Sequence, residues 1–198
     1  ANCALYCGAD VDFVDIDPET YNISCEALEK KLITANISGN LPKVVITVHM
    51  CGLPCEMEAI HKLSKQYGFS IIEDACHALG GLYQKTTIGD CQYSDIAVTS
   101  FHPVKIITTA EGGAAFTNSS KIAERMALLR SHGITRDTPL MENSPHGEWY
   151  YEQIDLGYNY RMTDLQAALG KSQLKRLESF IAQRNHLASS KLRALPRQ

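Results

Sequence analysis

Polar side chains that could carry out chemistry follow three short apolar runs of the sequence. His49 follows one run, Asp74 and His77 follow the next, and Ser100 and Lys105 follow a third. In open α/β sheets, ligands bind beyond the carboxyl ends of the strands. If the three runs are strands of one parallel sheet, we expect these side chains to converge on one pocket.

A lysine and an aspartate at neighbouring strand ends suit a site for pyridoxal 5'-phosphate (PLP). In such a site Lys105 would form the Schiff base, and Asp74 would keep the pyridine nitrogen protonated so that the ring withdraws electrons. His77 could stack on the flat ring, and Ser100 could donate a hydrogen bond to the phosphate. The residues taken singly leave plainer alternatives open: a solvated lysine, a turn aspartate and a partly buried histidine.

Short strands that alternate with helices must position these residues. Apolar and β-branched runs predict strands at Val11–Ile16, Lys43–His49, Ser70–Glu73, Ile96–Ser100 and Gly113–Thr117. The run at Lys43–His49 is rich in β-branched residues, and both faces of a strand formed by it would be apolar. This pattern favours a central strand that is covered on both faces.

Caps and apolar spacing predict four helices. Ser24 caps a helix with Leu28 and Leu32 on one face, and a second helix ends at about Tyr67 because Gly68 follows it. A third helix with an apolar stripe follows Asn118-Ser119-Ser120 and stops near Gly133, and the capping box Thr163-x-x-Gln166 opens a long helix. We expect that helix to bury Leu165, Leu169, Leu177 and Ile181.

This alternation predicts an α/β fold with a mostly parallel sheet flanked by helices, because parallel neighbours need crossover connections. We assign residues 1–160 to a cofactor-binding large domain and residues 161–198 to a long helix that leads into a truncated C-terminal small domain.

Composition excludes several classes of protein. The chain has 198 residues, a formal net charge of −3 and no Lys/Arg block, so we expect neither nucleic acid nor membrane as a partner. The N-terminal residues lack the pattern of a secretory signal, and the seven cysteines are an odd number in a chain of good core-forming composition. We therefore expect a cytoplasmic protein with reduced thiols. The pairs Cys3/Cys7 and Cys51/Cys55 have a spacing that zinc sites rarely use, so we expect no metal.

The motifs around the candidate residues resemble those of the DegT/DnrJ family of PLP-dependent sugar aminotransferases. The resemblance extends over nearly the whole chain and rests on the order and spacing of Glu73-Asp74-Ala75-x-His77-Ala78-x-Gly80, Ser100-Phe101-x-x-x-Lys105, Glu111-Gly112-Gly113 and Gly157-x-Asn159-x-Arg161.

The resemblance implies a homodimeric aminotransferase of PLP fold type I, with PLP as cofactor. It implies Lys105 as the Schiff-base lysine and proton shuttle. It also implies four cofactor contacts: Asp74 at the pyridine nitrogen, His77 at the ring, Ser100 at the phosphate and Asn159 at the phosphate of the partner subunit. It places Arg161 near the substrate entrance. His49 is a weaker candidate for the substrate pocket, because of its position after a predicted central strand. The expected reaction moves an amino group from glutamate to a nucleotide-linked 4-keto-6-deoxy sugar, UDP-linked, in surface-glycan or pseudaminic acid biosynthesis.

Family members are longer at both ends, so we expect this chain to be an internal fragment. The missing segments would supply most of the phosphate cradle and an aromatic ring stacker, and cofactor affinity should therefore be poor. Two alternatives stay open: a catalytically silent fragment or regulatory domain, and a PLP-dependent sugar dehydratase. The dehydratases of this fold resemble the family but carry a histidine at the position of Lys105, which argues against the second.

Overall fold

Parallel strands that alternate with helices build the part of the fold that carries Asp74. The structure is a computed structural model, and it describes residues 1–194. The helices are α1 (Asn2–Tyr6), α2 (Cys25–Ser38), α3 (Met57–Tyr67), α4 (Ser120–Arg130), α5 (Asp164–Leu174) and α6 (Leu177–Ala194). The strands are β1 (Val44–Val48), β2 (Ser70–Asp74), β3 (Leu82–Tyr83), β4 (Thr86–Thr87), β5 (Ile96–Ser100), β6 (Gly113–Phe116), β7 (Ile134–Thr135) and β8 (Glu152–Gln153). The predicted α/β class with a mostly parallel sheet is confirmed.

The chain divides into two compact units, Ala1–Thr99 and the part that begins at Ser100. In the first unit the strand order is β1-β2-β5, and both neighbouring pairs are parallel. The division between residues 1–160 and 161–198 stays a prediction, and its last four residues, 195–198, lie outside the described part of the chain. Within residues 1–194, no helix combines the length and apolar character needed to cross a membrane.

One hydrophobic core in the first unit joins α2 and α3 to β1 and β2. Leu28 and Leu32 of α2 are buried together with Ile60 of α3 and Ile71 of β2. Burial of one such side chain contributes about 1.5–3 kcal/mol. The caps predicted for these helices are present: the Ser24 hydroxyl accepts the N–H of Ala27, and α3 ends at Gly68 in a left-handed conformation.

A local hydrogen-bond network organises the loop before β8 in the second unit. The Glu152 carboxylate accepts the Tyr150 hydroxyl at 2.7 Å, the Asn143 side-chain amide at 2.9 Å, and the N–H groups of Glu142 and Asn143 at 2.7 and 3.0 Å. These contacts, that of Tyr150 foremost, lower the pKa of Glu152 to about 2. The loop is therefore held by one carboxylate that stays ionised over most of the pH range.

Three sequence predictions of the fold are wrong. The first is the strand at Val11–Ile16, which contributes only an isolated bridge between Ile16 and Ile23. The carboxylates of Asp12 and Asp15 accept the N–H of the following residue at 2.8 Å each, so they satisfy locally two donors that a neighbouring strand would otherwise pair.

The second is the central position of β1. Among the described strands of the first unit β1 lies at the edge, and only one of its faces is buried. Val45 and Thr47 point into the core, whereas Val44, Ile46 and Val48 keep about two-fifths of their surface exposed.

The third is the long helix after Thr163. The capping box is confirmed, since Thr163 and Gln166 exchange both bonds, but the helix ends at Leu174 and a second one starts at Leu177. The Arg176 carbonyl already accepts from the first turn of the new helix. Leu165, expected to be buried, is 85% exposed.

Candidate active site

Asp74 lies at the carboxyl end of β2, where the strand passes into the loop 75–80. Along β2 the side chains of Ile71 and Glu73 are buried, whereas those of Ile72 and Asp74 are half-buried on the other face. One carboxylate oxygen of Asp74 (Oδ1) accepts the N–H of Cys76 at 3.1 Å. The second oxygen has no protein partner within residues 1–194, so it is available to a ligand.

His77 lies in the same loop with an exposed ring. The Ala78 N–H donates to the Ala75 carbonyl at 2.9 Å, which closes a turn around His77. Gly52 packs against the backbone of this turn: a Cβ at Gly52 would lie 2.9 Å from the His77 carbonyl oxygen, and its φ of +89° is one that glycine adopts readily. Packing against Gly52 therefore holds the backbone of the loop, whereas the His77 imidazole is exposed to solvent.

His49 lies at the end of β1, and its side chain is completely buried. Its Nδ1 atom accepts the Cys55 N–H at 3.1 Å, and its Nε2 atom lies 3.4 Å from Oε2 of Glu73. The assignment of His49 to the substrate pocket stays a prediction, and this enclosed position does not support it. Burial raises the pKa of the neighbouring Cys55 thiol to about 12, so this thiol is not a nucleophile at neutral pH.

Ser100 and Lys105 belong to the second unit, at the two ends of one short loop. The His102 N–H donates to the Ser100 hydroxyl oxygen at 3.3 Å, and the Lys105 N–H donates to the His102 carbonyl at 3.0 Å. Both side chains are half-buried. The Ser100 hydroxyl accepts a bond in this arrangement, which leaves its proton available to a ligand.

The Lys105 ammonium makes no hydrogen bond or ion pair within the described residues. The backbone of Phe101 makes two hydrogen bonds that hold the loop. Its N–H donates to the Gly112 carbonyl, and its carbonyl accepts from the Thr109 N–H. The backbone around Lys105 is therefore ordered although its amine has no partner.

Asn159 and Arg161 lie on an exposed segment of the second unit. Asn159 forms an isolated antiparallel bridge with Ser131, and the rings of Tyr158 and Tyr160 on either side of it are stacked at 4.8 Å. Arg161 is exposed and lines an open cavity of about 260 Å³ together with Glu111, Gly112, Gly113, Tyr160, Met162 and Gln166.

Each unit thus brings together part of the predicted set. The first unit places Asp74 and His77 on one loop with His49 behind it, and the second places Ser100 and Lys105 on one loop. That Asp74 and Lys105 bracket a single cofactor ring stays a prediction.

Glu73 and Gly52 were noted in the sequence motifs, but no separate role was assigned to either of them. Glu73 is only 6% exposed, and its Oε1 atom accepts the Gly89 N–H at 3.1 Å. The alternation of faces along a strand could have indicated its burial, because Asp74 was expected to face a ligand and its neighbour must then face the other way.

Known proteins resemble this chain in both sequence and structure. The model of the DegT/DnrJ/EryC1/StrS aminotransferase family matches residues 1–196. The UDP-4-amino-4,6-dideoxy-N-acetyl-beta-L-altrosamine transaminase of Campylobacter jejuni is 39% identical over 189 residues, which are 96% of this chain and 46% of that protein.

Solved structures agree with this result. PseC of Helicobacter pylori, an aminotransferase involved in the biosynthesis of pseudaminic acid, is similar with a TM-score of 0.77 and 36% identity, over 90% of this chain and 43% of that one. The PLP form of a sugar aminotransferase of Streptococcus pneumoniae has a TM-score of 0.77 and 26% identity, over 95% and 48%. The chain spans less than half the length of these proteins.

Proposed function

The chain belongs to the DegT/DnrJ/EryC1/StrS aminotransferase family, and from that premise we propose that its function is PLP-dependent amino transfer to a nucleotide-linked keto-sugar. The observation that carries the proposal is the amine of Lys105, which is half-buried in an ordered loop and has no partner within the described residues. A lysine in this state is the residue type that condenses with an aldehyde cofactor.

Three other side chains fit the same cofactor by their chemistry. One carboxylate oxygen of Asp74 accepts from Cys76 and the other has no partner within residues 1–194, which suits a protonated pyridine nitrogen. The exposed ring of His77 suits a flat heterocycle, and the Ser100 hydroxyl has a proton to donate to a phosphate oxygen.

PLP, when bound, supplies a protonated ring that accepts electron density from the carbon that loses its proton. Asp74 would stabilise the protonated ring nitrogen through its second carboxylate oxygen, and the Ser100 hydroxyl would donate to the phosphate. The Nζ atom of Lys105 would hold the cofactor and would also accept and return the proton that moves during amino transfer, as a general base and acid.

We propose glutamate as amino donor and a UDP-linked 4-keto-6-deoxy sugar as acceptor, in surface-glycan or pseudaminic acid biosynthesis. The name of the Campylobacter jejuni relative supports a UDP-sugar. Arg161 supports a phosphorylated substrate, because its exposed guanidinium borders the 260 Å³ cavity and could bind a diphosphate with two parallel hydrogen bonds.

We also propose that the protein is a homodimer in which Asn159 reaches the cofactor phosphate of the partner subunit. The exposure of Asn159 and of its stacked neighbours Tyr158 and Tyr160 is compatible with a contact between copies. We propose the cytoplasm as its location, because all seven cysteines are free thiols. Light scattering with and without PLP tests the oligomeric state.

Covalent labelling tests the cofactor site directly. The chain is incubated with PLP, reduced with borohydride and digested, and the mass added to each lysine peptide is measured. We expect the label on Lys105 and none on that peptide in Lys105→Arg, whereas the control Lys85→Arg should leave the Lys105 label unchanged. Uniform labelling of surface lysines would overturn the proposed site.

Amino transfer tests the reaction. The protein in its full length and this chain are each supplied with PLP and with glutamate, which donates the amino group to the cofactor. UDP-linked and GDP-linked 4-keto-6-deoxy sugars are then added, and the amino sugar is quantified by mass spectrometry. We expect UDP-sugar turnover by the full-length protein and its loss in Lys105→Arg. Specific labelling of Lys105 without turnover would favour the catalytically silent alternative over the aminotransferase.

A further inference from the structure

A buried pair, His49 and Glu73, lies directly behind the loop that carries Asp74 and His77. Their side chains are 0% and 8% exposed, and the reaction steps proposed above use neither of them. We propose that this pair positions Asp74 and the loop 75–80, which carries His77. The inference rests on the proposed function for its catalytic meaning, but the contacts that carry it lie within the first unit.

The contacts of the His49 ring determine where its proton is. Nδ1 accepts the Cys55 N–H at 3.1 Å, and a ring nitrogen can accept only when it carries no proton. The proton of the neutral ring is therefore on Nε2, which faces Oε2 of Glu73 at 3.4 Å. This contact is not a hydrogen bond, and within residues 1–194 the buried Nε2 atom has no hydrogen-bond partner.

Glu73 is the other half of the pair. Its Oε1 atom accepts the Gly89 N–H at 3.1 Å, and its Oε2 atom faces the His49 ring. A buried carboxylate is costly unless donors surround it. Loss of the ring N–H would remove the polar group that faces Oε2 at 3.4 Å, so we expect the conformation of Glu73 to depend on His49.

The backbone transmits this dependence to the ligand-facing residues. Glu73 and Asp74 are consecutive in β2 and point to opposite faces, so a rotation that releases Glu73 also turns Asp74. The His49 N–H donates directly to the Asp74 carbonyl at 3.1 Å.

The same turn also contacts the His77 end of the loop. Gly52, three residues after His49, leaves no room for a Cβ in front of the His77 carbonyl. The turn from His49 to Gly52 therefore contacts both Asp74 and His77. A change in the buried pair would reach both of these ligand-facing residues through this turn.

Four variants separate positioning from simple core stability. His49→Asn keeps an acceptor toward Cys55 but loses the donor toward Glu73, His49→Gln does the reverse, and Glu73→Gln keeps the shape and removes the charge. The control is Thr47→Val. Thr47 is completely buried on the same face of β1 and is paired in register with Glu73, but its hydroxyl contacts only the Met57 sulfur at 3.6 Å.

Amide hydrogen exchange of the loop 75–80 is measured in each variant, at urea concentrations that equalise their global stability. We expect exchange at Cys76 and Ala78 to rise about tenfold in the three pair variants and to stay within about twofold in Thr47→Val, since a lost buried polar contact has an effect of this order. Equal rates in the pair variants and the control would overturn the proposal. Nitrogen NMR of the unmodified chain adds a test that needs no variant, and a proton on Nδ1 of His49 would also overturn it.

A PLP titration tests whether the pair affects cofactor binding. The measured quantity is the amount of borohydride-fixed label on Lys105 at each PLP concentration. The pair variants should need about tenfold more PLP for half-maximal labelling, with Thr47→Val unchanged. Unchanged labelling together with faster loop exchange would overturn the catalytic meaning of the pair. Absence of specific labelling in the unmodified chain would instead refute the proposed function, and the exchange and NMR results would still decide whether the pair holds the loop.

Discussion

Replacement of Gly157 by alanine should destabilise the second unit, because the added methyl group has no space. Gly157 does not have a positive φ, so alanine fits its backbone conformation and would by itself stabilise the chain by about 0.4–1 kcal/mol through the unfolded state. The methyl carbon, however, would lie 2.6 Å from the Leu129 carbonyl oxygen and closer still to the Gly133 nitrogen.

These atoms are backbone and cannot rotate away. Ordinary contact begins at 3.4 Å, so the segments must separate by about 1 Å. The separation weakens two bonds that join them, from the Tyr158 N–H to the Leu129 carbonyl at 2.7 Å and from the His132 N–H to the Tyr158 carbonyl at 2.8 Å. Each bond contributes about 0.5–1.5 kcal/mol and overpacking costs about 1–3 kcal/mol, so after the gain from the unfolded state we expect a net loss of about 3 kcal/mol, in a range of about 1–6 kcal/mol.

Urea unfolding of the chain, followed by fluorescence of its single tryptophan, measures this loss. Gly39→Ala is the control, since Gly39 has a φ of +71° and nothing within 4 Å of its added carbon. It should lose only about 1 kcal/mol from backbone strain. A Gly157→Ala chain as stable as the unmodified one would refute the steric argument and mean that the two segments are not held at this spacing.

Three further predictions follow from individual side chains. The pKa of Glu152 is lowered from 4.5 to about 2, so its carboxylate stabilises the loop fully above pH 4.5 and this stabilisation is lost as the pH falls toward 2. NMR of the loop amides should show this transition, and Glu152→Gln should abolish it. Burial raises the pKa of Cys55 to about 12, so iodoacetamide at pH 8 should label it about a hundredfold more slowly than the exposed Cys51, as peptide mass spectrometry can measure. Thr163→Ala removes the first cap of α5 and should lower the free energy of unfolding by about 0.5–2 kcal/mol in urea titrations.

Each of these expectations has a contradicting result. A loop transition that stays near pH 4.5 would mean that Tyr150 and Asn143 do not hold the Glu152 carboxylate. Equal labelling of Cys55 and Cys51 would mean that the core around Cys55 opens readily. An unchanged stability of Thr163→Ala, compared with Ser190→Ala on the exposed face of α6, would mean that the capping box is not formed in solution.

Local features of this chain were predictable because their determinants lie within a few residues of each other. The caps at Ser24 and Thr163 and the end of α3 at Gly68 are examples, and all three are present in the structure. In each case a side chain or a glycine satisfies the free backbone groups of its own helix, so no distant partner is needed.

Non-local features were predicted less well. The run Val11–Ile16 has strand composition but no strand partner, and β1 is an edge strand within the first unit although its residues suggest a covered one. Strand formation depends on which segment lies alongside, and a single sequence does not contain that information.

Some features of the candidate site could likewise be predicted from the sequence, and others could not. The types and spacing of Asp74, His77, Ser100 and Lys105 suggested a PLP site but left plainer alternatives open. The family was indicated by the resemblance of the motifs around these residues, and it is confirmed. Whether an individual side chain faces a ligand or the core was a separate question. His49 looked like a pocket residue by its place after a strand, but its ring is enclosed, and Glu73 beside Asp74 is part of the interior.

The amino-acid sequence by itself thus determined the class of fold, the caps at Ser24 and Thr163 and the end of α3, and it suggested a set of residues for amino transfer. Only the tertiary structure decided which of those residues are enclosed and where backbone segments approach too closely for a side chain. It also decided which amine and which carboxylate oxygen have no partner within residues 1–194. The reason is that burial and hydrogen-bond partners arise from segments far apart in the chain, whose contacts exist only after folding.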